Sequence, residues 1–230
     1  MASQALIKTV RWALFGVALA TAGSLATADE GPFEEGTHYH RLPVPVATAE
    51  DTVTVTEFFS YACGHCFQFD PELDHWAEGT AEDVVLERVP AAFSPLYELL
   101  AEAYYVARAC KVLPATHTPL FRALHLERQP LRSQEAIARF FADQVEETPV
   151  PGSTCATPDD FLKTFKSFGV RSAINQSKSR AKAYQARGVP ALIIDGAFRT
   201  DGQSAGSNEG MLQVADALIE KRRAEKAPAP

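Results

Sequence analysis

Cys63-Gly64-His65-Cys66 concentrates the chemistry open to this sequence. Two thiols separated by two residues can close into a small disulfide and reopen by exchange with another thiol. If they stand at the start of a helix, the unpaired N–H groups of the first turn and the positive end of the macrodipole stabilise a thiolate on Cys63. His65, when protonated, adds a second positive source. A free thiol has a pKa of about 8.5, and reactive ones in such settings fall to roughly 3.5 to 7.5. Stabilising the thiolate stabilises the reduced pair, so the disulfide becomes the stronger oxidant and Cys63 a good leaving group.

Two other uses of such a pair are weaker. A zinc site needs four ligands, and no second pair exists: Cys110 and Cys155 stand alone, and His38, His40, His75, His117 and His125 show no paired spacing with them. No metal and no bound cofactor is expected. A purely structural bridge across three residues would constrain little of the unfolded chain.

The flanking elements support exchange chemistry. Thr52 to Phe59 is β-branched and aromatic with partial alternation, a strand running into the centre of a sheet. Phe67, Phe69, Leu73 and Trp76 then recur at helical spacing with Gly79 as a stop, which sets the cysteines at a helix N-terminus. Glu57 lies on the strand behind them. There, burial would raise its pKa and let it pass protons to or from Cys66, whereas at a strand edge it would simply reach solvent.

Further along, Tyr39 to Leu42 reads as a short edge strand and Val84 to Val89 as a second central one. Apolar faces at Leu96 to Ala107, Ile137 to Val145 and Phe161 to Phe168 predict helices, punctuated by proline clusters at 114–119 and 149–158. A helix from Arg171 to Arg187 should end at Gly188, followed by a strand from Ala191 to Ile194, an Asp195-Gly196 hairpin turn, a short strand through Phe198, a helix from about Asn208 to Lys221 and a frayed tail from Glu225. This is an α/β architecture with an all-helical insertion at about 95–170 interrupting a small sheet.

Residues 1–28 read as a signal peptide. Lys8 and Arg11 form a basic start, Trp12 to Ala28 carries no charge, and Ala26-Thr27-Ala28 supplies small residues before Asp29. The domain proper is expected at 29–230. The whole-chain charge of −7 becomes more negative without Lys8 and Arg11, so nucleic acid is not an expected partner. In an oxidising compartment, Cys110 and Cys155 most economically pair as a structural bridge, the alternative being two buried thiols. Phe59, Tyr61 and Phe67 are expected to line a groove for unfolded polypeptide.

Glu57-Phe58-Phe59-Ser60-Tyr61-Ala62-Cys63-Gly64-His65-Cys66-Phe67-Gln68-Phe69, with Arg187-Gly188-Val189-Pro190-Ala191 downstream, resembles the DsbA family of periplasmic disulfide oxidases. The likeness extends over most of the chain. It implies a thioredoxin-like fold, a buried acid at Glu57, and a cis Val189-Pro190 bond facing the sulfurs, with Gly64, Val189 and Pro190 at the substrate site. Pro71, five residues past Cys66, resembles the kink position of thioredoxin helices, where proline bends the helix and leaves its first turn in place. By local sequence alone, Gly188-Val189-Pro190 would equally serve as a trans turn. The resemblance further implies oxidation of exported polypeptides, a periplasmic location and reoxidation by a DsbB-like, quinone-coupled membrane protein. A monomer is expected. One departure matters: many members have Pro-His between the cysteines, whereas Gly64-His65 is the dipeptide of protein disulfide isomerases. An exported reductase or isomerase is therefore one alternative, and a thiol or metal binding module without catalysis is another.

Overall fold

The computed structural model describes residues 32–227; the expected signal peptide lies outside them. Thirteen elements are found there. They are β1 (His40–Arg41), β2 (Val53–Phe59), α1 (Gly64–Glu78), β3 (Val84–Pro90), α2 (Pro95–Ala109), α3 (Leu113–His125), α4 (Gln134–Glu147), α5 (Pro158–Phe165), α6 (Phe168–Ala183), β4 (Ala191–Ile194), β5 (Phe198–Asp201), α7 (Gly202–Ala205) and α8 (Asn208–Lys226). Among the described residues no helix is long and apolar enough to cross a membrane.

The five strands form one sheet in the order β1-β5-β4-β2-β3. Only β2 and β3 run parallel, with Glu57 directly beside Arg88; β4 pairs antiparallel with β2, and β5 with β4. Every residue of β2 except Thr54 is buried, because helices cover both faces of the sheet. Val53 and Val55 point toward α1 and α8, where they pack with Phe69, Leu73, Met211 and Val214. Phe58 points the other way, onto Tyr184 at the end of α6.

Between β3 and β4 come five helices. Leu100, Phe121, Phe141, Phe161 and Phe165 form their common core, which also takes in Phe59, Tyr61 and both cysteines of the pair. Cys110 and Cys155 are joined by a disulfide, tying the end of α2 to the loop before α5. The thioredoxin-like α/β fold thus carries its helical insertion directly against the sulfurs.

Several local expectations change. The proline-rich stretch at 114–119 does not interrupt the helices: it is α3, with Pro114 in the first turn, where its missing N–H costs nothing, and Pro119 in the interior. Phe168 does not share the face of Phe161 and Phe165. Ser167 caps a new helix through its side chain, so Phe168 opens α6 and is 77% exposed. That helix stops at Ala183 rather than Gly188, and the left-handed residue after it is Gln185, with φ +51°. Glu225 and Lys226 belong to α8, whose end is held where the Lys226 ammonium donates to the Ala49 and Thr52 carbonyls.

Candidate active site

β2 ends at Phe59, and the Ser60-Tyr61-Ala62 loop delivers the chain to α1. Cys63 is the N-cap of that helix in extended conformation, and its sulfur accepts a hydrogen bond from the Cys66 N–H at 3.4 Å. A sulfur in this role faces the unpaired first-turn donors. Its pKa is accordingly lowered to about 6, chiefly by the hydrogen bond that the Cys66 thiol donates to it, with the Cys66 and His65 N–H groups and the His65 charge adding to the effect. Burial works against this shift and is outweighed.

Cys66 is the opposite case. It is fully buried, and desolvation pushes its thiol far above the ordinary range, with Cys63 and Glu57 adding repulsion. The two sulfurs of one short motif therefore differ in kind, one a ready thiolate at the rim and the other a proton-holding thiol beneath it. Both are free thiols, so this is the dithiol form.

The Val189-Pro190 peptide bond is cis, and the Cys63 thiol lies 3.5 Å from the Val189 carbonyl oxygen. Gly64 and His65 are exposed on the first turn of α1. Phe59 and Tyr61, expected in an exposed groove, are each only 1% exposed. The insertion helices cover them, and only Phe67 of the three retains partial access.

Glu57 is 1% exposed, and burial raises its pKa to about 7 despite a 3.0 Å hydrogen bond from Arg88 Nε. Arg88 also donates to Asp74 at 2.6 Å and lies 3.4 Å from Asp70. Burial opposes its charge, but the three carboxylates hold it firmly protonated. This cluster was legible from the sequence only in Glu57. Arg88 joins it through the register of β2 with β3, and Asp70 and Asp74 through one face of α1.

Two histidines of α3 complete the site and had no sequence signal beyond their type. His117 Nε2 donates to Asp70 at 2.9 Å, which leaves Nδ1 to accept the Tyr61 hydroxyl at 2.6 Å. His125 Nε2 donates to the Tyr61 carbonyl at 2.7 Å while its ring stacks on Phe67 at 5.1 Å. Both ends of Tyr61, two residues before Cys63, are thus anchored on the insertion.

Comparison with known proteins agrees with this geometry. A family model described as the DSBA-like thioredoxin domain matches residues 54–218. The thiol:disulfide interchange protein DsbA of Azotobacter vinelandii is 38% identical over 203 residues, covering 88% of this chain and 89% of its own. That of Pseudomonas syringae pv. tomato is 37% identical over 210 residues, covering 90% and 92%. The crystal structure of Pseudomonas aeruginosa DsbA superposes with a TM-score of 0.74 at 32% identity, over 84% of this chain and 96% of that one. Shared sequence along nearly the whole described chain, on a shared architecture, leaves one assignment: this chain belongs to the DSBA-like thioredoxin family.

Proposed function

We propose that this thiol:disulfide oxidoreductase introduces disulfide bonds into exported polypeptides through Cys63 and Cys66. The carrying observation is the asymmetry of the two sulfurs: Cys63 caps a helix with its pKa lowered to about 6, and Cys66 is buried with its thiol pushed far upward. In the oxidised enzyme a client thiolate attacks Cys63 Sγ, forming a mixed disulfide and expelling Cys66 as a thiolate. Burial makes that thiolate unfavourable, so it takes up a proton. Glu57, with a pKa of about 7 and acting on Cys66 through its charge, is the group suited to supply it. A second client thiolate then attacks the client's sulfur in the mixed disulfide, so that the client leaves oxidised and Cys63 leaves as a stabilised thiolate. Val189 and Pro190, beside the Cys63 sulfur, are the proposed platform for the client backbone, with Gly64 leaving the first turn open.

Two electrons remain on the pair after each cycle, and a DsbB-like, quinone-coupled membrane oxidase is the proposed acceptor. The leader-like residues 1–28 support export to the periplasm, and the proposed working form is a monomer of residues 29–230 with its insertion at about 95–170.

The test mixes the oxidised protein with a reduced peptide carrying two cysteines. The peptide should be oxidised as the Cys63/Cys66 pair is reduced, Cys63→Ser should be inactive, and Cys66→Ser with Cys63 activated as a mixed disulfide should transfer to the peptide without internal escape. A Cys63→Ser protein as active as the parent would overturn the reading. Alkylation trapping in cells separates oxidase from reductase or isomerase: a predominantly oxidised pair supports the oxidase, and a predominantly reduced one the alternative.

A further inference from the structure

A groove of about 910 Å³ opens beside the active-site loop, lined by His65, Arg187 to Pro190, His40 of β1, Arg199 and Asp201 of β5 and the start of α8. Its charge is opposite to that of the chain. The whole sequence carries −7, yet the groove presents two guanidinium groups, Arg187 and Arg199, and two imidazoles, His40 and His65, against one carboxylate, Asp201. Asp201 is already engaged, since its Oδ1 accepts the Ser204 N–H at 2.9 Å as the cap of α7.

The two arginines differ from those elsewhere around the sheet. Arg88, Arg180, Arg222 and Arg223 each pair with a carboxylate. Among the described residues, neither Arg187 nor Arg199 does. Arg187 is exposed at the groove. Arg199 spends one terminal nitrogen on the Gln185 carbonyl at 2.5 Å, and its Nε is buried without a partner. The exposed guanidinium of Arg187 suits a planar carboxylate, whereas the buried Nε of Arg199 is out of a client's reach and that residue contributes positive potential, which a concave surface concentrates.

We propose that this groove is a specificity surface that favours client segments carrying an Asp or Glu within a few residues of the reacting cysteine. The proposal rests on the exchange function assigned to Cys63 and Cys66, and it adds the chemistry of the client. Arg187, on the loop that leads into Val189-Pro190, would meet the acidic side chain of a client whose sulfur is on Cys63. Arg199, opposite His40 in the register of β5 with β1, adds a second positive group to the same groove.

The experiment uses the oxidised protein and three two-cysteine peptides that differ only in having Glu, Gln or Lys beside the cysteines. Each second-order rate constant is divided by that for oxidation of the same peptide by a small neutral disulfide, which removes the effect of the neighbouring charge on the peptide thiol itself. The normalised Glu/Lys ratio should be about tenfold at low ionic strength and collapse toward one in 1 M salt, where the Debye length is about 3 Å. Arg187→Glu should lower the ratio sharply and Arg187→Lys should preserve it. A ratio of one at low salt, with all three peptides oxidised, overturns the charge preference and leaves the exchange function intact; a ratio indifferent to Arg187→Glu overturns the assignment to this groove. If none of the peptides is oxidised, the exchange function itself fails, and the proposal with it.

Discussion

Arg88 Nε stands 3.0 Å from Glu57 Oε2, joining neighbouring parallel strands by a buried ion pair beneath the cysteines. The pairing does not bring Glu57 to an ordinary pKa, because the cost of burying its charge exceeds what the guanidinium returns. The active site thereby holds a carboxyl that changes protonation near neutrality.

This has a signed consequence for stability. A carboxyl whose folded pKa is raised from 4.5 to about 7 favours the folded state most below 4.5, and that contribution is lost as pH rises through 7. Glu57→Gln removes the loss. In urea unfolding of the reduced protein, the variant should gain up to about 3 kcal/mol on the parent at pH 8.5 and almost nothing at pH 4. Equal differences at both pH values would contradict it. The same variant should oxidise peptide more slowly and lose the inflection near pH 7 in its rate profile.

The Cys63 thiolate links redox state to pH in the opposite sense. Its folded pKa is depressed to about 6, so the stability it lends the reduced protein is complete only above the unfolded thiol value and disappears as pH falls through 6. At pH 7 the reduced form should gain about 1.4 kcal/mol over the unfolded dithiol from this source. Thiolate absorbance in the ultraviolet gives the titration directly, and unfolding of reduced and oxidised protein between pH 5 and 8 gives the linkage. A midpoint near 8.5 would contradict both.

The chain Tyr61–His117–Asp70 should behave as one unit. His117→Leu leaves a buried hydroxyl and a buried carboxylate each short of a partner, at about 1–3 kcal/mol apiece. Tyr61→Phe alone should cost about 1 kcal/mol. Because both changes remove the same bond, the double variant should be more stable than the sum of the single effects implies, with a coupling of about 0.5–3 kcal/mol. Strict additivity in denaturant titrations would mean that the histidine does not hold the tyrosine.

Loss of the Cys110–Cys155 disulfide should be costly without disabling exchange. The bridge spans 45 residues of sequence, and the chain-entropy relation assigns such a loop about 4 kcal/mol. Cys110→Ala with Cys155→Ala should lower the urea midpoint accordingly, while single-turnover peptide oxidation at 25 °C stays near that of the parent. An unchanged midpoint would show that the bridge constrains nothing the core does not already hold.

Much of this was readable before any coordinates. Local pattern sufficed where one element decides its own fate: the alternating β-branched run of β2, the helical recurrence of Phe69, Leu73 and Trp76, and the placing of two thiols at the start of α1. Asp195-Gly196 marked the hairpin between β4 and β5, where both residues adopt positive φ. Local pattern misled at α3, where prolines in a first turn and in a well-packed interior look the same as prolines in a loop. It misled again at Phe59 and Tyr61, whose burial depends on helices that arrive from elsewhere in the chain.

What the sequence by itself determined is the reactive pair and the elements on either side of it, because helix caps, strand alternation and thiol spacing act over a few residues. Only the tertiary structure decided the surroundings that tune it. Arg88 reaches Glu57 from 31 residues away and His117 reaches Tyr61 from 56, while the approach of Val189 to Cys63 across 126 residues is implied by the family resemblance and not by local pattern. Those contacts follow from strand register and helix docking, and neither is written in the spacing of neighbouring side chains.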